Sequence, residues 1–200
     1  DQQLTGVSTV IFDEFHERTL NADLGLAFCL EMANVLRDDL KILVMSATLE
    51  VTAISKLMQD APIVSCEGKS FPVTPKWQIK PVVQDQIIGK LIIDVILEAI
   101  SENKGSILVF LPGEGEIIKL ASSLINKVPD NCHVFPLYGR LGFKDQQKAI
   151  KPIVAGRKIV LATNVAETSL TIEGIETVID SGLSKRSIYD PNSGMARLVT

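Results

Sequence analysis

Seven short apolar runs recur along the chain, at residues 7–12 (VSTVIF), 42–45 (ILVM), 63–66 (IVSC), 107–111 (ILVFL), 133–137 (HVFPL), 159–162 (IVLA) and 177–179 (TVI). Most are continuous and β-branched rather than alternating, which is how strands read when both faces of their sheet are buried. Between them lie stretches with helical spacing, 21–36, 51–58, 86–101, 114–127 and 144–150. In 86–101, Lys90, Asp94 and Glu98 fall four apart, so one polar stripe faces water while Ile88, Leu91, Ile92, Val95 and Ile96 are buried. Strands alternating with helices predict parallel α/β sheets covered on both sides. Apolar residues make up 46% of the chain and charged ones 22%, enough for a core and unlike a disordered protein.

The pattern breaks once. Residues 67–84 contain Gly68, Pro72, Pro75 and Pro81 and no helical period, and read as a linker. The expected layout is therefore one α/β unit at 1–66, a linker at 67–84 and a second unit at 85–200. Near the end, 185–189 and 195–200 flank the turn-rich Asp190-Pro191-Asn192-Ser193-Gly194, which predicts a β-hairpin.

Charge excludes little. The net value is −4, with 4 Lys/Arg against 10 Asp/Glu in 1–66 and 16 against 14 in 67–200. A mildly basic second half is compatible with phosphate contacts, and a solvated surface explains it equally well. No uncharged apolar run approaches the ~20 residues of a membrane span. Cys29, Cys66 and Cys132 are odd in number and lack CxxC or CxxxH spacing, so they read as free thiols in a reducing, cytoplasmic setting. Asp1-Gln2-Gln3-Leu4 has no basic n-region and no initiator Met, and reads as an internal start.

Asp13-Glu14 directly follows the first apolar run, at the carboxyl end of an expected parallel strand, where open α/β sheets bind ligands. Two carboxylates there suit a Mg-nucleotide. Asp13 can hold Mg²⁺ through water, and Glu14 can orient and deprotonate the water that attacks a γ-phosphate. The plainer alternative is that Asp-Glu simply ends a strand and faces solvent. The continuation His16-Glu17-Arg18 weighs against it, because DEFHER resembles motif II of DEAH-box helicases of superfamily 2. Phe15 stands where the family's name has Ala, a variant that resembles the bacterial HrpB branch.

Other motifs of that family follow in order. Ser46-Ala47-Thr48, 33 residues after Asp13, resembles motif III. Residues 108–113 (LVFLPG) resemble motif IV, and 163–172 (TNVAETSLTI) resemble motif V, the most specific match in the chain. The resemblance implies tandem RecA-like parallel sheets, the first incomplete, with a hairpin projecting from the second domain towards nucleic acid. It implies catalytic and Mg²⁺-holding roles for Asp13 and Glu14, communication with the second domain through His16, and coupling through Ser46 and Thr48. Thr163 and Asn164 would touch a sugar-phosphate backbone, where neutral donors carry no base information. Tyr138, Gly139 and Arg140 would approach it too, as would Tyr189 and Arg197 on the hairpin. Thr168, Ser169 and Thr171 would lie nearer the nucleotide, although a capped helix start at Thr168 or Ser169 is compatible with the same residues. Many DEAH proteins stack a Phe on adenine at the position of Ile150, so base selectivity here is expected to be loose, unless Ile150 is a core helix residue.

Two parts of the machinery are missing. Gly68-Lys69-Ser70 is not a P-loop, because position 63 is Ile and Phe71-Pro72 stands where a helix should begin. The arginine-rich motif VI is absent as well, and one transition-state arginine is worth roughly 10³–10⁵ in rate. The chain by itself is expected to be inert, as part of a motor that couples ATP hydrolysis to translocation on, or unwinding of, RNA or another single strand. The competing readings are a helicase-like scaffold that has lost its ATPase, and an unrelated P-loop enzyme. Paired carboxylates argue against the first and motif V against the second.

Overall fold

The computed structural model describes residues 4–47, 51–66, 68, 71–77, 87–166, 171–191 and 193–199. These fall into two compact units that divide between Pro75 and Lys76.

In the first unit, strand β1 (Thr9–Phe12), helix α1 (Leu20–Val35) and strand β2 (Lys41–Val44) form a β-α-β crossover, followed by helix α2 (Val51–Leu57). The strands are parallel, in register from Thr9 opposite Lys41 to Phe12 opposite Val44. Val10, Phe12, Ile42 and Val44 are half-buried while Ile11 and Leu43 are exposed, so one face of this ribbon is covered better than the other. Thr19 begins α1, its hydroxyl accepting the Ala22 N–H at 3.2 Å, which satisfies one of the free donors at the helix start. Gly25 lets α1 approach the sheet: a Cβ there would sit 3.3 Å from the Phe12 ring. Arg37 ties the segment before β1 to the one before β2, donating to the Leu4 and Val7 carbonyls and to Asp39.

The apolar run 63–66 is not a strand. It is irregular, with Ile63 and Val64 exposed. The β-branched Ile63 and Val64 favour an extended backbone, but a ladder also needs a neighbouring strand, and composition cannot supply one.

In the second unit, strands β3 (Ser106–Phe110), β4 (Cys132–Leu137), β5 (Arg157–Ala162) and β6 (Ile175–Asp180) form one parallel sheet in the order β4-β5-β3-β6. The helices are α3 (Ile92–Glu102), preceded by a kinked turn at Ile87–Leu91 in which Gly89 leaves helical geometry (φ −102°, ψ −123°), then α4 (Glu114–Leu124) and α5 (Phe143–Ile150). Two apolar clusters cover the two faces. Ile107, Val109, Ile159 and Leu161 pack with α3 and α4, whereas Leu108, Val160 and Ala162 pack with Ala149 of α5 and with Ala166 and Ile172. Odd and even positions of β3 and β5 thus feed opposite faces, the reason these strands read as unbroken apolar runs. On α3, Asp94 and Glu98 face solvent as the spacing predicts, while Ile93 is fully buried beside Ile92 and Ile96. The Ile88 side chain lies outside the described residues.

Strands β7 (Arg186–Asp190) and β8 (Met195–Val199) form the expected antiparallel hairpin. Its turn closes with the Gly194 N–H on the Asp190 carbonyl at 2.9 Å, and Gly194 has φ +67°, a conformation that favours glycine. Among the described residues, no helix is long and apolar enough to cross a membrane.

Candidate functional site

The first unit places its carboxylates at the carboxyl edge of its sheet. Glu14 adopts φ 50°, ψ 36°, a left-handed backbone unusual for a residue with a Cβ and worth roughly 1–3 kcal/mol of strain. That bend separates two neighbours. Phe15 turns into the core with 2% of its surface exposed, and Glu14 stays at the surface. The Phe15 ring meets Phe12 edge-on at 6.1 Å and carries the Arg18 guanidinium 5.6 Å above it. Arg18 in turn pairs through two nitrogens with Asp23, at 2.9 and 3.1 Å, a local structural role.

The turn is fastened to the next strand. The Met45 N–H donates to the Phe12 carbonyl at 2.8 Å, and the Phe15 N–H donates to the Met45 carbonyl at 3.0 Å. Asp13, Glu14 and His16 therefore stand beside the segment that carries Ser46. Thr48 lies outside the described residues. Asp13 is exposed, and its Oδ1 accepts the Glu14 N–H at 2.8 Å. His16 Nδ1 lies 3.3 Å from Glu14 Oε2 without hydrogen-bond geometry, and that nitrogen is buried without a hydrogen-bond partner. Among the described residues no three His, Cys, Asp or Glu side chains cluster as a metal cage. Hard carboxylate oxygens in so open a place fit Mg²⁺ that keeps water and phosphate as its remaining ligands.

In the second unit, Tyr138-Gly139-Arg140 leaves the carboxyl end of β4, and Thr163-Asn164 leaves the carboxyl end of β5, entering a 3-10 turn at Asn164–Ala166. The two loops meet, because the Thr163 N–H donates to the Leu137 carbonyl at 3.2 Å. The Leu111 N–H donates to the Ala162 carbonyl at 2.8 Å, bringing the end of the 108–113 segment alongside. The connections that leave β3 and β5 run over opposite faces of the sheet, α4 over one and Ala166 and Ile172 over the other. Gly139, Arg140 and Asn164 are exposed there, and Thr163 and Tyr138 are half-buried.

Ile150 is not part of this group. It ends α5 near the amino edge of the sheet, half-buried, with its carbonyl 3.1 Å from the Lys158 ammonium at the start of β5. Thr171 is exposed and precedes the buried Ile172 in the connection to β6. Thr168 and Ser169 lie outside the described residues.

Three basic side chains that set this geometry escape a reading by motif. Lys158, 1% exposed, donates to the carbonyls of Ala149, Ile150 and Lys151 at 2.8, 3.1 and 3.0 Å, closing the C-terminus of α5. Burial holds its ammonium below the ordinary lysine range, opposed by Glu173. Arg157 donates to the carbonyl of Ile100 in the last turn of α3 and to that of Gly105 just beyond it. Lys185 grips both oxygens of Glu116 at 2.7 Å. The only sequence signal was a pair of cations opening the apolar run of β5.

Comparison with known proteins agrees with this architecture. Residues 89–197 match the family model described as the helicase conserved C-terminal domain. The chain is 45% identical over its whole length to the ATP-dependent RNA helicase HrpB of Escherichia coli, covering 25% of that protein. It is 38% identical to the ATP-dependent RNA helicase HrpA of the same organism, over 99% of this chain and 15% of that protein. A crystal structure of the Escherichia coli DEAH/RHA helicase HrpB superposes with a TM-score of 0.83 at 43% identity, over 100% of this chain and 25% of that one. The chain thus spans a quarter or less of these relatives. Parallel α/β sheets ending in a hairpin are what the sequence predicts, what the structure contains and what the crystallised relative shares. More than half of the residues fall inside the matched family model, and the chain belongs to the helicase conserved C-terminal domain family.

Proposed function

We propose that this chain is part of an ATP-dependent RNA helicase, residues 1–66 carrying motifs II and III of a first RecA-like domain and 85–200 motifs IV and V of a second, joined by 67–84. The observation that carries this reading is the strained Glu14 turn hydrogen-bonded to Met45, which sets two carboxylates and Ser46 side by side at a sheet edge. The relatives HrpB and HrpA are named ATP-dependent RNA helicases.

In this reading Asp13 and Glu14 would hold Mg²⁺, which would neutralise charge on the phosphates of bound ATP. Glu14 takes the proton of the attacking water, and its bent backbone pre-positions the carboxylate rather than leaving it to rotate freely. His16, whose Nδ1 lies 3.3 Å from a Glu14 oxygen, communicates the state of the site to the second domain, with Ser46 and Thr48 as coupling residues. Thr168, Ser169 and Thr171 serve the nucleotide. At the second sheet, Thr163, Asn164, Tyr138, Gly139 and Arg140 form an edge of hydroxyl, amide, backbone and one cation, suited to following a sugar-phosphate backbone without reading bases. Ile150, beside the backbone held by Lys158, offers an apolar surface but no ring for a base. Free Cys29, Cys66 and Cys132 suit a reducing compartment, and we place the protein in the cytoplasm.

The test is ATP hydrolysis by the full-length protein and its Glu14→Gln variant, with and without single-stranded RNA or DNA. The motor reading expects turnover that RNA stimulates and that Glu14→Gln abolishes. Turnover unchanged in the variant would remove Glu14 as the base, and an inactive wild type would favour a scaffold.

A further inference from the structure

We propose that Glu116 and Lys185 form a latch that holds the root of the β7–β8 hairpin against the first turn of α4, so that the hairpin and the turn at Pro112-Gly113 meet a nucleic-acid strand at a set spacing. The inference rests on the RNA-motor reading for what the latch serves, though not for its existence.

Lys185 is the last residue before β7, and Glu116 lies in the first turn of α4, just after the 108–113 segment. Both carboxylate oxygens of Glu116 sit 2.7 Å from the Lys185 ammonium. The space for this contact exists because residue 113 is glycine. A Cβ there would lie 2.9 Å from the Lys185 ammonium, 3.1 Å from its Cδ and 2.8 Å from Glu116 Oε2. Gly113 has φ −171°, an extended backbone open to any residue, so room rather than conformation is what its missing side chain provides.

The strap from β6 to the hairpin is braced along its length. The Ser181 N–H donates to the Phe110 carbonyl at 3.3 Å, the Gly182 N–H to Asp180 Oδ1 at 2.8 Å, and the Leu183 N–H to Ser181 Oγ at 3.3 Å. Lys185 then fixes the last step before β7. The hairpin itself is a two-stranded ribbon, marginal when alone, and Ile188, Tyr189 and Met195 are exposed on it. Its direction is therefore set at its root. The Lys185 and Glu116 side chains are 30% and 25% exposed, so the pair makes a modest contribution to stability that leaves the sheet folded when it is lost, and its loss separates positioning from folding.

The experiment compares the full-length protein with Lys185→Glu, Glu116→Lys and the double exchange that restores opposite charges. Hydrogen exchange is followed at 186–190, at 195–199 and across β3–β6, and ATPase is titrated with poly(U). The latch expects faster exchange in the hairpin of each single variant with unchanged protection of the sheet. It also expects a KM for poly(U) raised about tenfold, at unchanged RNA-free ATPase, and recovery of both in the double exchange. Hairpin exchange and poly(U) KM both unchanged in the single variants would overturn it, as would a double exchange no better than either single. A wild type that poly(U) fails to stimulate would sink the RNA reading alone, and hairpin exchange would still decide the latch.

Discussion

Arg157 and Lys158 are adjacent in the chain, yet each closes the end of a different helix on opposite faces of the same sheet. Arg157 donates to the Ile100 carbonyl in the last turn of α3 and to the Gly105 carbonyl beyond it, and Lys158 to the last carbonyls of α5. Consecutive side chains of a strand point to opposite faces, so one dipeptide at the start of β5 anchors both helical layers. Helix C-termini leave carbonyls without intrahelical donors, and a cation there also meets the negative end of the helix dipole.

Lys158→Met keeps the buried stem and removes the ammonium. The Ala149, Ile150 and Lys151 carbonyls would lose a shared charged donor, and we expect a loss of about 2 kcal/mol, since an unsatisfied buried acceptor costs roughly 1–3 kcal/mol. The midpoint of urea unfolding, followed by circular dichroism, reads this directly.

Phe15→Ala would restore the sequence Asp-Glu-Ala-His that names the DEAH group, and we expect it to be harmful here. The ring is buried between Phe12 and the Arg18 guanidinium, so its removal leaves a cavity costing about 3 kcal/mol. A thermal melt of the variant matching wild type would show that the turn collapses around alanine without loss.

The Glu116–Lys185 pair makes a pH prediction. Burial alone would raise the Glu116 pKa, but the hydrogen bonds from Lys185 and from its own backbone, with the ammonium's charge, outweigh it and hold the carboxyl below its ordinary 4.5. A carboxyl lowered in the folded state contributes stability above its unfolded pKa and loses it as pH falls through the folded value. The stability gap between wild type and Glu116→Gln should therefore be constant near neutrality and close at pH values below 4.5. A gap that persisted at acid pH would assign it to packing instead.

Arg37→Ala should loosen the start of the first unit. It frees the Leu4 and Val7 carbonyls and Asp39, whose carboxyl the guanidinium holds below its ordinary range. We expect a lower midpoint of urea unfolding and faster exchange of the Val7 amide, because the charged donor shared by the two carbonyls is lost.

Limited proteolysis should cut the first unit before the second. Among the described residues, the buried apolar side chains of the first unit are Phe15, Leu26, Cys29 and Leu40, while the second buries two full layers. Cleavage that begins within β3–β6 would reverse this order.

Much of this protein was determined by the sequence alone. Unbroken β-branched runs separated by helical spacing required parallel strands covered on both sides, because only burial on both faces tolerates apolar residues at successive positions. Motif spacing placed Asp13, Glu14 and Ser46 at strand ends, and the Pro191-Asn192-Ser193-Gly194 stretch placed the hairpin turn. Tertiary structure decided the rest. The strand order β4-β5-β3-β6 depends on which runs find partners, and 63–66 found none. Lys158, Arg157 and the Glu116–Lys185 pair join residues 7 to 69 positions apart, so no local pattern announces them. Their partners are backbone carbonyls or a single carboxylate, and which of these lie near a given cation is settled only when the layers pack.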